Sequence, residues 1–491
     1  MPDQILRQTP FGTLRGAAAE GVTRFHRIPY SQPRLGAERF ARPTEPPVWH
    51  GIRDATQPGP VPPQLPSRLD GVMGVYDCAQ DEDCLHLDIW QPEGLSAPAP
   101  VIAFIHGGAF MTGGGSMPCY DGAALARATG CVVVTISYRL GILGFLPVEE
   151  AGALNLGLHD QIAALRWIRQ AIGAFGGDAG NVTAIGQSAG AFSIAAFMAL
   201  PLGPSLFDKA VLMSAPLGIR LRTPDEAAGI RHALLRELGG APGDLEPLRR
   251  APVGDLLAAL EALGRKAPPP AEPGTITPPF MPVLDPELIP RDPLEALAEG
   301  AGAWCPVIIG VTREEHASFH VARSPLDTLT EADVAALFTR EYGAEGPQRL
   351  TQARARRCPA TPRTLVVDLR GELDFVAAAW KVAAAQARHG EGASHAYRFD
   401  WQSPMPGLGA GHCLDLPFLF GTPALWQTMP MVRGADRAEV EGLSTLFQGA
   451  IAAFAHTGSP SGPALPPWPA FGPDRTILQI DRLSAAIRLC D

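Results

Sequence analysis

Three side-chain types in this sequence, placed together, would break an acyl bond: a serine framed by glycines, a carboxylate and a histidine. Gly186-x-Ser188-x-Gly190 stands between the apolar run Val182-Thr183-Ala184-Ile185 and an apolar stretch that continues to about Leu200. A serine hydroxyl attacks a carbonyl when a base takes its proton and a sharp backbone turn thrusts its oxygen outward. Glycines two residues before and after it let a strand and a helix approach without clash. The helix start then aims N–H groups and a positive dipole end at the reaction centre. An ordinary glycine-rich turn carries the same five letters, but the strand–turn–helix context favours a nucleophile.

A place for the resulting oxyanion lies upstream. His106-Gly107-Gly108-Ala109-Phe110 follows the apolar run Val101-Ile102-Ala103-Phe104-Ile105. Small residues there allow backbone amides to approach a tetrahedral oxygen. The expected donors are the N–H groups of Gly108, Ala109 and Ala189. Gly113-Gly114-Gly115 suggests a phosphate cradle, but no Gly-Lys-Ser/Thr follows, which argues against a nucleotide site.

With a nucleophile of this kind, the acid follows a late strand and the histidine sits on a later loop. Val311-Thr312-Arg313-Glu314-Glu315 follows one candidate strand, and Gly409-Ala410-Gly411-His412 follows another. Residue types alone leave Glu314 and Glu315 equivalent. His316, His320 and His395 compete with His412, which the loop context and the following Leu414-Asp415-Leu416-Pro417-Phe418 favour.

These residues need a scaffold. Strands are expected at 22–27, 84–90, 101–105, 131–136, 182–185, 210–213, 306–311 and 396–399. Apolar spacing of three and four predicts a helix over 157–174, stopped by Gly176-Gly177-Asp178, and a second amphipathic helix over 439–456. Alternating strands and helices imply an α/β class, with a large, mostly parallel central sheet flanked by helices. Residues 220–300 and 320–390 read as helical or irregular insertions, and the proline-rich 267–279 as a loop. The expectation is a single catalytic domain over 1–491, with those insertions shaping the approach to the site.

Composition excludes several alternatives. The 491 residues are 46% apolar and 18% charged, against about 25% charged on average. Such a chain buries a large core and is not intrinsically disordered. A net charge of −10 argues against a nucleic-acid partner. Only three lysines, Lys209, Lys266 and Lys381, stand among 40 basic residues, a coding bias rather than a function. No run of about 18 apolar residues predicts a membrane span, and Met1–Arg7 does not read as a secretory signal. Eight cysteines are too sparse for a disulfide scaffold. A cytoplasmic protein is therefore expected, with Cys78 and Cys84 close enough in sequence to pair.

Further motifs give the chain a family likeness. Arg27-Ile28-Pro29-Tyr30, Arg39-Phe40, Glu82-Asp83-Cys84-Leu85-His86-Leu87-Asp88, Ser137-Tyr138-Arg139-Leu140-Gly141, Gly157-Leu158-x-Asp160-Gln161, Phe175-Gly176-Gly177-Asp178 and the block from His412 to Gly421 fall in one order. In that order the chain resembles the type-B carboxylesterases, which include bacterial para-nitrobenzyl esterases and the cholinesterases. The resemblance spans nearly the whole chain and implies an α/β-hydrolase fold. It places the acid on Glu315 and the base on His412, and implies two scaffold ion pairs, Arg39–Glu82 and Arg139–Asp160.

Three departures accompany it. Gln187 replaces a usual glutamate beside the nucleophile. Val61-Pro62-Pro63-Gln64 occupies the region where secreted relatives carry the partner of Cys84. His316 replaces a common glycine after the acid. The implied activity is serine hydrolysis of small to medium, largely apolar carboxylic esters, without metal or organic cofactor, by a monomer or homodimer. A carbamate, amide or phthalate-ester hydrolase would use the same triad. A non-catalytic, esterase-like interaction protein is disfavoured by the intact triad positions. Pocket walls are expected from 64–76, 268–281 and 316–325, with Phe110 near the mouth.

Overall fold

A computed structural model describes residues 3–148, 154–267, 272–276, 278–322, 324–390, 392–462 and 465–489. Thirteen strands among them form one sheet: β1 (Asp3–Thr9), β2 (Gly12–Ala19), β3 (Val22–Pro29), β4 (Ile52–Asp54), β5 (His86–Pro92), β6 (Ala99–Ile105), β7 (Val132–Ile136), β8 (Gly177–Gln187), β9 (Lys209–Met213), β10 (Val307–Thr312), β11 (Ser394–Phe399), β12 (Thr476–Ile480) and β13 (Ala485–Arg488). The order is β1-β2-β3-β5-β7-β6-β8-β9-β10-β11-β12-β13, with β4 beside β2. From β7 to β12 every neighbouring pair is parallel. Antiparallel pairs close both edges.

The central strands are apolar on both faces because both faces are covered. Along β6, Val101, Ala103 and Ile105 join one core, while Ile102 and Phe104 join the other. The first core includes Leu158, Ile162, Leu165 and Ile168 of the helix Leu156–Ala171. The second includes Leu443, Phe447, Ile451 and Phe454 of the helix Arg437–Thr457. A third, smaller cluster gathers Val334, Phe338, Leu350 and Leu365 within the 320–390 insertion.

The helix expected to 174 ends at Ala171, and a 3-10 turn, Ile172–Phe175, leads into Gly176 at φ +73°. Strand β8 then starts at Gly177, earlier than its apolar core suggests. Of the expected proline-rich loop, residues 268–271 and 277 lie outside the described set. Cys78 and Cys84 are unpaired, so the pairing suggested by their spacing is not formed. Among the described residues, no helix is long and apolar enough to cross a membrane.

Candidate active site

Strand β8 lies between β6 and β9 and delivers Ser188 at its C-terminal end. Ser188 has φ +54° and ψ −119°, backbone that non-glycine residues rarely adopt. Its N–H donates to the Met213 carbonyl at 2.8 Å, which ties the turn to β9. The helix Ala189–Met198 begins immediately afterwards. Both flanking glycines are sterically required. A Cβ on Gly190 would overlap the Ile105 carbonyl, and one on Gly186 would overlap the backbone of Gly190.

The loop after β6 passes directly over this turn. A Cβ on Gly107 would collide with the Gln187 side chain. Gly108, Ala109 and Phe110 all have positive φ, at +111°, +56° and +61°. The N–H groups of Gly108 and Ala109 have no hydrogen-bond partner among the described residues. That of Ala189, first in its helix, has no intrahelical acceptor. Gly113 and Gly115 pack against His106 and Ile136, so the glycine run serves close packing of this loop.

Glu315 follows β10, and His412 lies on the loop before the helix Leu416–Phe420. His412 Nδ1 stands 2.6 Å from Glu315 Oε2. The other carboxylate oxygen of Glu315 accepts from Ser214 Oγ and the Thr312 N–H, both at 2.7 Å. Both members of the pair are buried. Burial opposes charge on the imidazole, but Cys413 beside it and the Glu315 carboxylate outweigh that and raise its pKa above the ordinary histidine value. On the opposite edge of the ring, the Gln187 amide nitrogen stands 3.2 Å from Nε2. Ser188 Oγ makes no hydrogen bond to His412 among the described residues, although both line one cavity.

The competing side chains have other work. Glu314 accepts from Arg357 Nη1 at 2.6 Å and from the Ala410 N–H at 2.7 Å, and so fastens two loops. His316 pairs with Asp374 at 2.9 Å, and His320 with Ser324 at 3.1 Å. Burial lowers the pKa of both His320 and His395 to about 4. Both expected scaffold ion pairs form: Arg39 grips Glu82 through bonds of 2.7 and 2.9 Å, and Arg139 grips Asp160 through bonds of 2.8 and 2.6 Å. Ser214 escaped the sequence reading. Its only signal is that it directly follows β9, next to the strand that carries the acid.

The cavity over Ser188 holds about 810 Å³. The 64–76 segment walls it as expected, as do Ile276, Pro278, Pro279 and Met281. Of the described residues in 316–325, only Phe319 takes part. Another wall, outside the three segments named for it but within the 220–300 insertion, comes from the helix Val253–Lys266, through Val253, Leu256, Leu257 and Leu260. Phe110 is not at the mouth. It is 2% exposed and packs against Phe145 and Phe192, so it forms part of the floor. No cluster among the described residues has the make-up of a metal site.

Residues 3–488 match the model of the carboxylesterase family. The chain belongs to this family. The enzyme is 39% identical to a para-nitrobenzyl esterase of Bacillus subtilis, over 96% of this chain and 93% of that one. It is 34% identical to the phenmedipham hydrolase of Pseudarthrobacter oxydans, again over 96% and 93%. A carboxylesterase structure from Geobacillus stearothermophilus superposes with a TM-score of 0.86 at 35% identity, covering 98% of this chain and 97% of that one. The enzyme therefore has the α/β-hydrolase fold and hydrolyses esters.

Proposed function

We propose that Ser188, His412 and Glu315 carry this hydrolysis as nucleophile, base and orienting acid. The observation that supports it is the buried Glu315–His412 pair opening on the same cavity as a serine at φ +54°. Ser188 Oγ attacks the acyl carbon while His412 Nε2 takes its proton. The carbonyl oxygen, now an anion, rests on the N–H groups of Gly108, Ala109 and Ala189. His412 returns the proton to the leaving alcohol. Water then attacks the acyl-enzyme, giving a proton to His412, which passes it to Ser188 Oγ as the acyl–oxygen bond breaks and the acid departs. Glu315 keeps the proton of the neutral ring on Nδ1 and stabilises the imidazolium.

For Ser188 to reach the imidazole, the Gln187 amide must share or yield Nε2. The mostly apolar walls and the 810 Å³ volume suit apolar esters larger than a simple acetate. Among the relatives, one is named a phenmedipham hydrolase and another a probable N-octanoylanthranilate hydrolase. A carbamate or amide substrate is accordingly the second reading. The unpaired thiols among the described residues and the net charge of −10 support a cytoplasmic enzyme without a nucleic-acid partner.

The test is hydrolysis of para-nitrophenyl butyrate, followed by an ester, carbamate and amide panel. Ser188→Ala should abolish turnover, and Glu315→Gln should lower kcat by about 10³–10⁴-fold. Glu314→Gln should keep most of the activity. Equal losses in the two glutamine variants would remove Glu315 from its assigned role.

A further inference from the structure

His316 stands immediately after the proposed acid, and the mechanism above leaves it unused. It is fully buried in the 3-10 turn Glu315–Phe319. Its Nε2 meets Asp374 Oδ2 at 2.9 Å, which makes a second histidine–carboxylate pair beside the first. Asp374 belongs to a π-helical turn, Glu372–Val376, wedged between the α-helices Pro362–Gly371 and Ala377–His389. Such turns hold an extra residue in a helix and persist where that residue is used. The next residue, Phe375, is 1% exposed and lines the cavity that contains Ser188.

The ring of Phe375 lies 4.9 Å from that of His412, centre to centre, and 5.7 Å from that of His316. Phe319 adds a second aromatic neighbour to His412 at 5.3 Å. The turn is held from another side as well. The Gly218 N–H donates to the Asp374 carbonyl at 3.0 Å, and a Cβ on Gly218 would overlap the Leu373 carbonyl. His316 and Gly218 thus anchor the turn, and its Phe375 ring reaches the reaction centre.

We infer that Phe375 and the His316–Asp374 pair are positioning residues: the buried pair locks the π-turn, and the turn seats Phe375 against His412 so that the imidazole stays aligned with Ser188. The inference rests on the triad reading above. A ring held on one edge by Glu315 and on the other by a neutral amide is free to tilt about that axis unless its faces are covered. Phe375 supplies one such cover. A tilt of the base by a fraction of an ångström affects proton transfer more than substrate binding, so the loss falls on kcat.

A double-mutant cycle on a short ester tests this, with kcat referred to sites titrated by an organophosphate so that unfolded enzyme is not counted. Phe375→Leu should lower kcat by roughly 10-fold to 100-fold with KM changed less than about threefold. Phe375→Tyr, which keeps the ring, should restore most of kcat. Asp374→Asn, which does not touch the substrate cavity, should lower kcat about 10-fold alone but less than about twofold when added to Phe375→Leu. His316→Leu, which has no donor, breaks the same pair from its other side and replaces Asp374→Asn if that variant is insoluble.

Equal Asp374→Asn losses in both backgrounds, or a Phe375→Tyr variant as slow as Phe375→Leu, would overturn the inference. So would an active wild type whose Phe375→Leu variant keeps full kcat. A wild type that neither hydrolyses the ester nor reacts with the organophosphate at Ser188 overturns the triad reading, and this inference with it.

Discussion

The residues around His412 divide one ring between two opposed demands. Nδ1 meets a carboxylate, which favours the charged imidazole, and Nε2 meets the uncharged Gln187 amide. Only the neutral ring accepts the serine proton, so activity must rise with pH through the His412 pKa. A glutamate at 187 would add negative charge beside Nε2 and favour the imidazolium. Gln187→Glu should therefore move the acid limb of kcat/KM to higher pH, by about one unit. Superimposable pH–rate profiles would show that the amide is a neutral isostere with no electrostatic part. Glu315 and Glu314 show how little residue type decides. Both are buried, both follow β10, and each is a fully engaged acceptor. One faces an imidazole and the other an arginine.

At the scale of elements, the site is the meeting of a strand end, a helix start and two loops. Gly190 is where three of them touch, because the Ile105 carbonyl occupies the space a Cβ would need. Gly190→Ala should cost about 3 kcal/mol or more, as overpacking against backbone rather than against a mobile side chain. Urea unfolding measures this, and a loss below about 1 kcal/mol would mean the loop gives way easily. The central elements were legible in the sequence for the same reason that they are rigid. Runs such as Val101–Ile105 and Val132–Ile136 are buried on both faces and read as apolar segments, interrupted in the second only by Thr135. β1, β2, β12 and β13 were not legible, because edge strands show a mixed pattern in which no face is continuously apolar. The helix Val253–Lys266 was legible only as part of an insertion. Its place as a cavity wall depends on packing between segments far apart in the chain.

For the whole molecule, both faces of the sheet are closed and the loops that carry the site are tied down by buried charge. Arg139 and Asp160 are 4% and 0% exposed, and Arg139 also donates to the Arg39 and Ala41 carbonyls. Asp160→Asn should destabilise the fold by about 3–5 kcal/mol, since a buried guanidinium would lose its counter-ion. Calorimetry or denaturant unfolding would reveal the change, and an unaltered midpoint would make the pair dispensable. The seven described cysteines, all unpaired, have a practical consequence for anyone who handles this protein. Cys358 is exposed, whereas Cys78 is half-buried and lines the cavity; the other five are buried. Among the described residues, a maleimide dye therefore has one open attachment point, Cys358, next to the Arg357 that grips Glu314. A slower reaction at Cys78 would plug the cavity, and an occupying substrate would shield it. Labelling rate thus becomes a readout of occupancy that needs no turnover.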